Sequence, residues 1–317
     1  MQEILRSNDV VFMSWISALL ADSGIETVTL DTHMSVLEGS VSAIPRRMMV
    51  ADDLYDQAMA LVQAAERERG ADTAPDFLLD GKLVLHQPKK GYRAAIDPVL
   101  LAAAVPATPN GMVLDIGCGV GTGALCYAHR VADNPVTGLE KQTALVETAV
   151  ENIGANGLED RVRIIEGDLL SPPKEIVAGN FQHVMANPPY VPEERADPAM
   201  DPARRESHVE GAAKLSDWIA MAHRMLVAKG SLTIIYESGR SDELLAALQA
   251  GFGGVVLFPL WPSENDEGRD AKRVLVQARK GVKSPARIAA GMVLHRKDGS
   301  YTDAAEGVLR HGAELVL

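Results

Sequence analysis

The run Val113-Leu114-Asp115-Ile116-Gly117-Cys118-Gly119-Val120-Gly121-Thr122-Gly123 constrains this chain more than any other feature. A short apolar stretch leads into four alternating glycines, and helix formers follow from Ala124 to Val131. That is the pattern of a strand, a tight turn and a helix. Glycine lets the backbone turn sharply and approach a ligand closely. Glu140 closes the next strand-like run, Val136 to Glu140. This is the spacing at which a carboxylate can accept bonds from ribose hydroxyls. Asp168 follows a third run, Val162 to Glu166, and is placed to meet an adenine. Gly119-x-Gly121-x-x-Ala124 also satisfies a relaxed dinucleotide fingerprint, so the loop by itself leaves the cofactor open.

Around this loop strands and helices alternate. Strands are expected at Met112–Ile116, Val136–Glu140, Val162–Glu166, Phe181–Ala186, Ser231–Tyr236, Val255–Leu260 and Arg273–Ala278. Helices are expected at Ala124–Val131, Thr143–Ile153, Lys214–Val227 and Glu243–Ala250. A further helix over Pro98–Val105 would be capped by Asp97, with Pro98 in its first turn. The alternation predicts an α/β fold with a parallel, doubly wound sheet and ligands at the strand carboxyl ends.

The texture differs before Phe77. Residues 1–67 read as a separate small α/β unit of order β-α-β-β-α, and residues 68–76 as a charged linker. The second unit, 77–317, opens with a hairpin over Phe77–Gln87 that turns at Asp80-Gly81.

Composition narrows the classes. Two cysteines, Cys118 and Cys126, exclude a disulfide framework and a four-cysteine zinc site, and they fit a reducing cytoplasm. The eight histidines show no close metal-ligand spacing, so no metal is expected. No apolar run approaches the roughly 20 residues a membrane-spanning helix needs. Glu3 and Asp9 precede the apolar stretch Val10–Leu20, where a signal peptide would carry cations. A cytoplasmic protein without a membrane partner is the expectation. Net charge is −12, with 31 basic against 43 acidic residues, which argues against indiscriminate nucleic-acid binding. The sign is segregated, however. Residues 1–67 hold 4 basic and 10 acidic side chains, whereas 269–310 hold 10 basic and 4 acidic.

The second informative motif is Asn187-Pro188-Pro189-Tyr190, after the fourth strand. Two prolines remove two backbone donors and stiffen the turn. The Pro188 carbonyl and the Asn187 side chain are left as neighbouring acceptors, matching the two hydrogens of a planar NH₂ group. Tyr190 offers a face on which a flat substrate can stack. Such an amine is a poor nucleophile because its lone pair is delocalised. Gripping both N–H bonds orients it and stabilises the positive charge that develops on nitrogen.

These motifs carry a family resemblance. The Asp115-to-Gly121 loop resembles the first motif of class I S-adenosylmethionine-dependent methyltransferases, and Asn-Pro-Pro-Tyr resembles the signature of those acting on planar amines. Four further stretches complete the pattern. They are Lys89-Lys90-Gly91-Tyr92-Arg93-Ala94-Ala95-Ile96-Asp97-Pro98-Val99-Leu100-Leu101, the pairs Glu210-Gly211 and Asp217-Trp218, and the ending Val293-Leu294-His295-Arg296-Lys297-Asp298-Gly299-Ser300-Tyr301-Thr302. Together the chain from about Phe77 onward resembles the bacterial tRNA adenine-N6 methyltransferases that modify valine tRNA beside the anticodon. That resemblance implies a Rossmann-like class I sheet, S-adenosylmethionine as cofactor and an RNA substrate. It also implies cofactor contacts from Arg93, Asp115, Gly117, Gly119, Gly121, Glu140, Asp168 and Asn187, and a target base held by Asn187, Pro188, Pro189 and Tyr190. Residues 1–67 resemble a small prokaryotic signal-transducing domain, and they offer a route to a protein partner or to self-association.

Two alternatives remain. One is a protein glutamine N5-methyltransferase, which uses the same tetrapeptide. The other is a non-catalytic regulatory protein that senses the cofactor. Arg204, Arg205 and His208, and the C-terminal Lys272, Arg273, Arg279, Lys280, Lys283, Arg287, Arg296 and Lys297, are candidates to follow a phosphate backbone.

Overall fold

The computed structural model describes residues 1–7, 10–30, 46–68, 73–88, 96–189, 212–264 and 270–317. Two compact units emerge, Met1–Phe77 and Leu78–Leu317.

The first unit is built from β1 (Gln2–Ser7), α1 (Val10–Asp22), β2 (Val28–Leu30), β3 (Arg46–Val50) and α2 (Tyr55–Glu68). All its strand pairs are antiparallel, in the order β1-β3-β2. Gly24, at φ 75°, ends α1, and Ile25 N–H returns to the Leu20 carbonyl at 2.8 Å. Ile4, Met13, Ile16, Leu20, Met48, Val50, Ala58 and Val62 make its core.

The hairpin is longer than the sequence suggests. It pairs β4 (Thr73–Leu78) with β5 (Leu83–Pro88), so Thr73 to Asp76 are strand rather than linker. Its turn runs through Leu79, Asp80 and Gly81, all at positive φ.

The second unit continues with α3 (Asp97–Ala104), β6 (Val113–Ile116), α4 (Thr122–Arg130), β7 (Val136–Glu140), α5 (Thr143–Ala155), β8 (Val162–Glu166) and β9 (Phe181–Ala186). Then come α6 (Leu215–Met225), β10 (Leu226–Glu237), α7 (Ser241–Leu248), β11 (Phe252–Ser263), β12 (Arg273–Lys280), β13 (Arg287–Ile288), β14 (Met292–His295) and α8 (Asp303–Leu309). The sheet order is β13-β11-β12-β10-β9-β6-β7-β8, with β14 also on β11. Strand β6 shows why helices cover both faces. Val113 packs into the core with α3, α4 and α5, while Leu114 and Ile116 pack into the core with α6 and α7.

Two expectations are corrected. The sheet is mixed rather than wholly parallel, because β12 runs antiparallel to both β10 and β11. Only nine residues separate β11 from β12, fewer than the dozen or so a parallel crossover needs. Asp97 does not cap α3. The cap position falls on Ile96 without a side-chain bond, and the Asp97 carboxylate instead accepts from Arg273 Nε at 3.1 Å. An ion pair to β12 thus takes the side chain that local propensity assigned to the helix end.

Candidate active site

Strand register assembles the site. Ile116 of β6 is aligned with Ala186 of β9 and with Leu139 of β7, and Glu140 of β7 with Glu166 of β8. All four strands are parallel, so their carboxyl ends lie along one edge. Gly117 therefore follows β6 directly beside Asn187 on one side and Glu140 on the other. Asp168 comes two residues after Glu166.

The glycine loop has the conformation its composition demands. Gly117, Gly119 and Gly121 take φ values of 68°, 57° and 85°, a region that costs side-chain-bearing residues roughly 1–2 kcal/mol. Gly121 sits at the cap of α4. Close approaches exclude side chains as well. A Cβ on Gly123 would lie 2.9 Å from Asp115 Oδ2, and one on Gly117 would lie 2.5 Å from Trp218 Cη2. From α5, buried Asn152 donates to the Val120 carbonyl and to the His86 carbonyl, both at 3.0 Å, and its Oδ1 accepts from His86 N–H. One amide thus staples the loop to β5.

Glu140 is 7% exposed and its carboxylate is well supplied with donors. Oε2 accepts from Gly119 N–H at 2.9 Å, and Oε1 from Lys141 and Gln142 N–H at 2.8 and 2.9 Å. These bonds aim the carboxylate across the loop, with part of its roughly four-fold acceptor capacity in reserve. Asp115 lies deeper, 4% exposed. Burial pushes its carboxyl up to about 8; the Ala124 amide pulls it down and Glu140 pushes it further up. At the tip of β8, Asp168 accepts from Lys141 Nζ at 2.9 Å and from Leu170 N–H, and both hold its pKa below the usual carboxylate value. Asn187 and Pro189 are half-buried and Pro188 is buried. Among the described residues the Asn187 side chain has no hydrogen-bond partner.

These features fit S-adenosylmethionine. The loop leaves space where side chains would intrude. The Thr122 hydroxyl is buried in its first helical turn without a partner among the described residues. Two carboxylates flank it, one suited to a diol and one to an amine.

Arg93 and Tyr190 lie outside the described residues, as do Arg204, Arg205 and His208. Three residues at the site went unassigned in the sequence: Trp218, Asn152 and Lys141. Trp218 was visible only as part of a resemblance. Its contact with Gly117 joins positions about a hundred residues apart, and no local pattern announces it. Both cysteines are buried and free, with Cys118 Sγ packed over Gly138.

The strand order, with β12 the single antiparallel strand of this sheet among the described residues, is that of a class I methyltransferase. Comparison with known proteins agrees. Residues 94–257 match the family model described as "Methyltransferase small domain", and the chain belongs to that family. Residues 1–66 match one described as "Putative prokaryotic signal transducing protein". The chain is 28% identical to the tRNA1(Val) (adenine(37)-N6)-methyltransferase of Aeromonas salmonicida, over 67% of this chain and 86% of that protein. It is 32% identical to the Porphyromonas gingivalis protein of the same name, over 48% and 61%. A crystal structure described as a predicted O-methyltransferase from Agrobacterium tumefaciens superposes with a TM-score of 0.58 at 24% identity. It covers 70% of this chain and 99% of that one, which speaks for the fold. Among the described residues, no helix is long and apolar enough to cross a membrane.

Proposed function

We propose that this chain is an S-adenosylmethionine-dependent N-methyltransferase acting on the N6 amine of an adenine in tRNA, near the anticodon. The register that sets Asn187 beside Gly117, with the Asn187 side chain unpartnered among the described residues, carries this reading. The names borne by the Aeromonas and Porphyromonas relatives support the substrate.

S-adenosylmethionine, when bound, supplies an electrophilic methyl group on a sulfonium. Gly117, Gly119 and Gly121 would give it room, Glu140 would accept from its ribose hydroxyls and Asp168 from its adenine amine. The protein's part in the transfer falls to the tetrapeptide. Asn187 Oδ1 and the Pro188 carbonyl accept the two N–H bonds of the target amine and fix the nitrogen for in-line attack. The same acceptors stabilise the charge that grows on nitrogen. Tyr190 stacks on the base. No dedicated base is needed, because the proton can leave to water once the bond has formed. The target adenine must be unpaired or flipped, since a paired amine cannot reach the corner.

The test is transfer of a labelled methyl group to total RNA and to total protein from cells lacking this gene, followed by nucleoside mass spectrometry. Label recovered as N6-methyladenosine in tRNA is expected. Label recovered only on protein glutamine would replace this reading with the glutamine one. Asn187→Ala should lower turnover about 10²-fold, by analogy with removal of an oxyanion-hole donor, and leave S-adenosylhomocysteine affinity within a few-fold.

A further inference from the structure

The sheet topology divides the C-terminal cations between two opposite edges. Strand β12 is antiparallel to β10, with Arg273 aligned to Glu237 and Arg279 to Ser231. Arg273 therefore stands at the carboxyl edge, the edge of Gly117 and Asn187. Arg279 and Lys280 stand at the amino edge. Six residue steps along a strand separate the two, on the order of 20 Å.

The two groups differ in their partners. At the carboxyl edge Arg273 is paired with Asp97, and Arg296 of the C-terminal segment is paired with Asp303. At the amino edge Lys229, Arg279, Lys280 and Lys283, and beside them Arg287 on the lateral strand β13, level with Gln277 through Val256, form no ion pair among the described residues. Two of the side chains and one of the loops are held in place. Arg279 Nε donates to the Lys229 carbonyl at 3.2 Å, and Lys280 Nζ to the Leu226 carbonyl at 2.7 Å. The loop bearing Lys283 is pinned by Gly281 N–H to Gly251 and by Gly254 N–H to the Ser284 carbonyl. It lies so close to the glycine pair that a Cβ on Gly253 would fall 2.1 Å from the Val282 carbonyl oxygen. Arg287 is exposed on the two-residue edge strand β13, beside Ile288 at 78% exposure. Burial, together with the nearby Lys280, holds His223 below its ordinary pKa. A group of five cations without ion-pair partners among the described residues is out of character for a chain of net charge −12. An extended polyanion would supply the counter-charge that these side chains lack among the described residues.

We propose that Lys229, Arg279, Lys280, Lys283 and Arg287 form a phosphate-holding platform for the body of a folded RNA, on the sheet edge opposite the catalytic corner. The proposal rests on the RNA reading above and says how that RNA is recognised. The roughly 20 Å between edges is more than half of the ~34 Å turn of a duplex. An isolated loop presenting the target base would not reach the platform, whereas a whole tRNA would. The platform touches phosphate, so it adds affinity without base specificity.

The test compares the wild-type chain with the triple variant Arg279→Glu, Lys283→Glu, Arg287→Glu. Binding of a full tRNA transcript and of its anticodon stem-loop is measured by anisotropy over a salt series, and S-adenosylhomocysteine binding certifies the variant's fold. Wild type should bind the full transcript at least 10-fold more tightly than the stem-loop. The variant should close that gap, with a log-log salt slope for tRNA shallower by about 2–3, since each phosphate no longer neutralised removes about 0.9 from the slope. The milder pair Lys283→Gln and Arg287→Gln should move both quantities the same way by a smaller amount. An undiminished gap and slope in a folded variant, with wild type still methylating tRNA, overturns the platform and leaves the catalytic reading standing. A wild-type chain that neither binds nor methylates RNA overturns both.

Discussion

Replacing Gly117 by alanine probes the packing on which the site's geometry turns. Two penalties are legible in the structure. The residue sits at φ 68°, where an L-side chain costs about 1–2 kcal/mol. The new Cβ would also lie 2.5 Å from Trp218 Cη2 and 3.0 Å from Cζ3. Those atoms belong to a rigid ring only 8% exposed and packed among Ile116, Leu139 and Ala186, so they have little room to retreat. Overpacking of this kind costs about 1–3 kcal/mol, which brings the total to roughly 2–5 kcal/mol. A double-mutant cycle separates the parts. Trp218→Phe withdraws the outer edge of the ring, so in that background Gly117→Ala should cost only the backbone share, about 1–2 kcal/mol. The coupling energy should be about 1–3 kcal/mol and favourable. Urea melts of the four proteins give the stabilities, and calorimetry with S-adenosylhomocysteine reports whether the loop still binds. Equal costs of Gly117→Ala in both backgrounds would mean that the indole does not hold this loop, and the account of how α6 positions the site would fail.

Three further outcomes follow from the same geometry. Glu140→Ala removes the acceptor for the Gly119, Lys141 and Gln142 amides, so S-adenosylhomocysteine affinity should fall by at least about 10-fold as charge-assisted bonds disappear; unchanged affinity by calorimetry would refute the role. His183, between Thr108 Oγ1 and Ser231 Oγ, has its pKa lowered to about 4 by burial, with Arg130 adding to the effect. The unfolded chain takes up that proton below about 6.5 and the folded one does not. Stability is therefore complete above about pH 6.5 and drains away as pH falls to about 4, by up to ~3 kcal/mol. His183→Gln should flatten that part of the pH–stability curve, and an unaltered slope would count against the assignment. Asp115, raised to about 8, has the opposite sign. Its contribution is whole below about pH 3.8 and is lost as pH rises through about 8, so Asp115→Asn should gain on wild type in melts from about pH 5 to 8; a variant that loses stability at the upper end would contradict a protonated Asp115.

Much of this protein is local and therefore legible in one dimension. The alternation of apolar runs and helix formers needs no partner to be recognised, and the strands around Asp115, Glu140, Glu166 and Ala186 lie where that pattern puts them. Positive φ at Gly117, Gly119 and Gly121 follows from the lack of a Cβ. A carboxylate at Glu140 and an acceptor at Asn187 announce their chemistry by residue type alone.

What the chain order withheld is everything that depends on which strand meets which. Asp97 reads as a helix cap until β12 brings Arg273 to it. The C-terminal cations read as one basic tail until an antiparallel strand sends them to opposite edges. Trp218 reads as an apolar helix residue until packing lays its ring on Gly117. Residue type and local spacing determined the elements and the reactive groups, because backbone preference and hydrophobic period act over a few neighbours. Only the tertiary structure decided who stands beside whom, because register and packing join residues a hundred or more positions apart, in pairings that leave no trace in any short window of sequence.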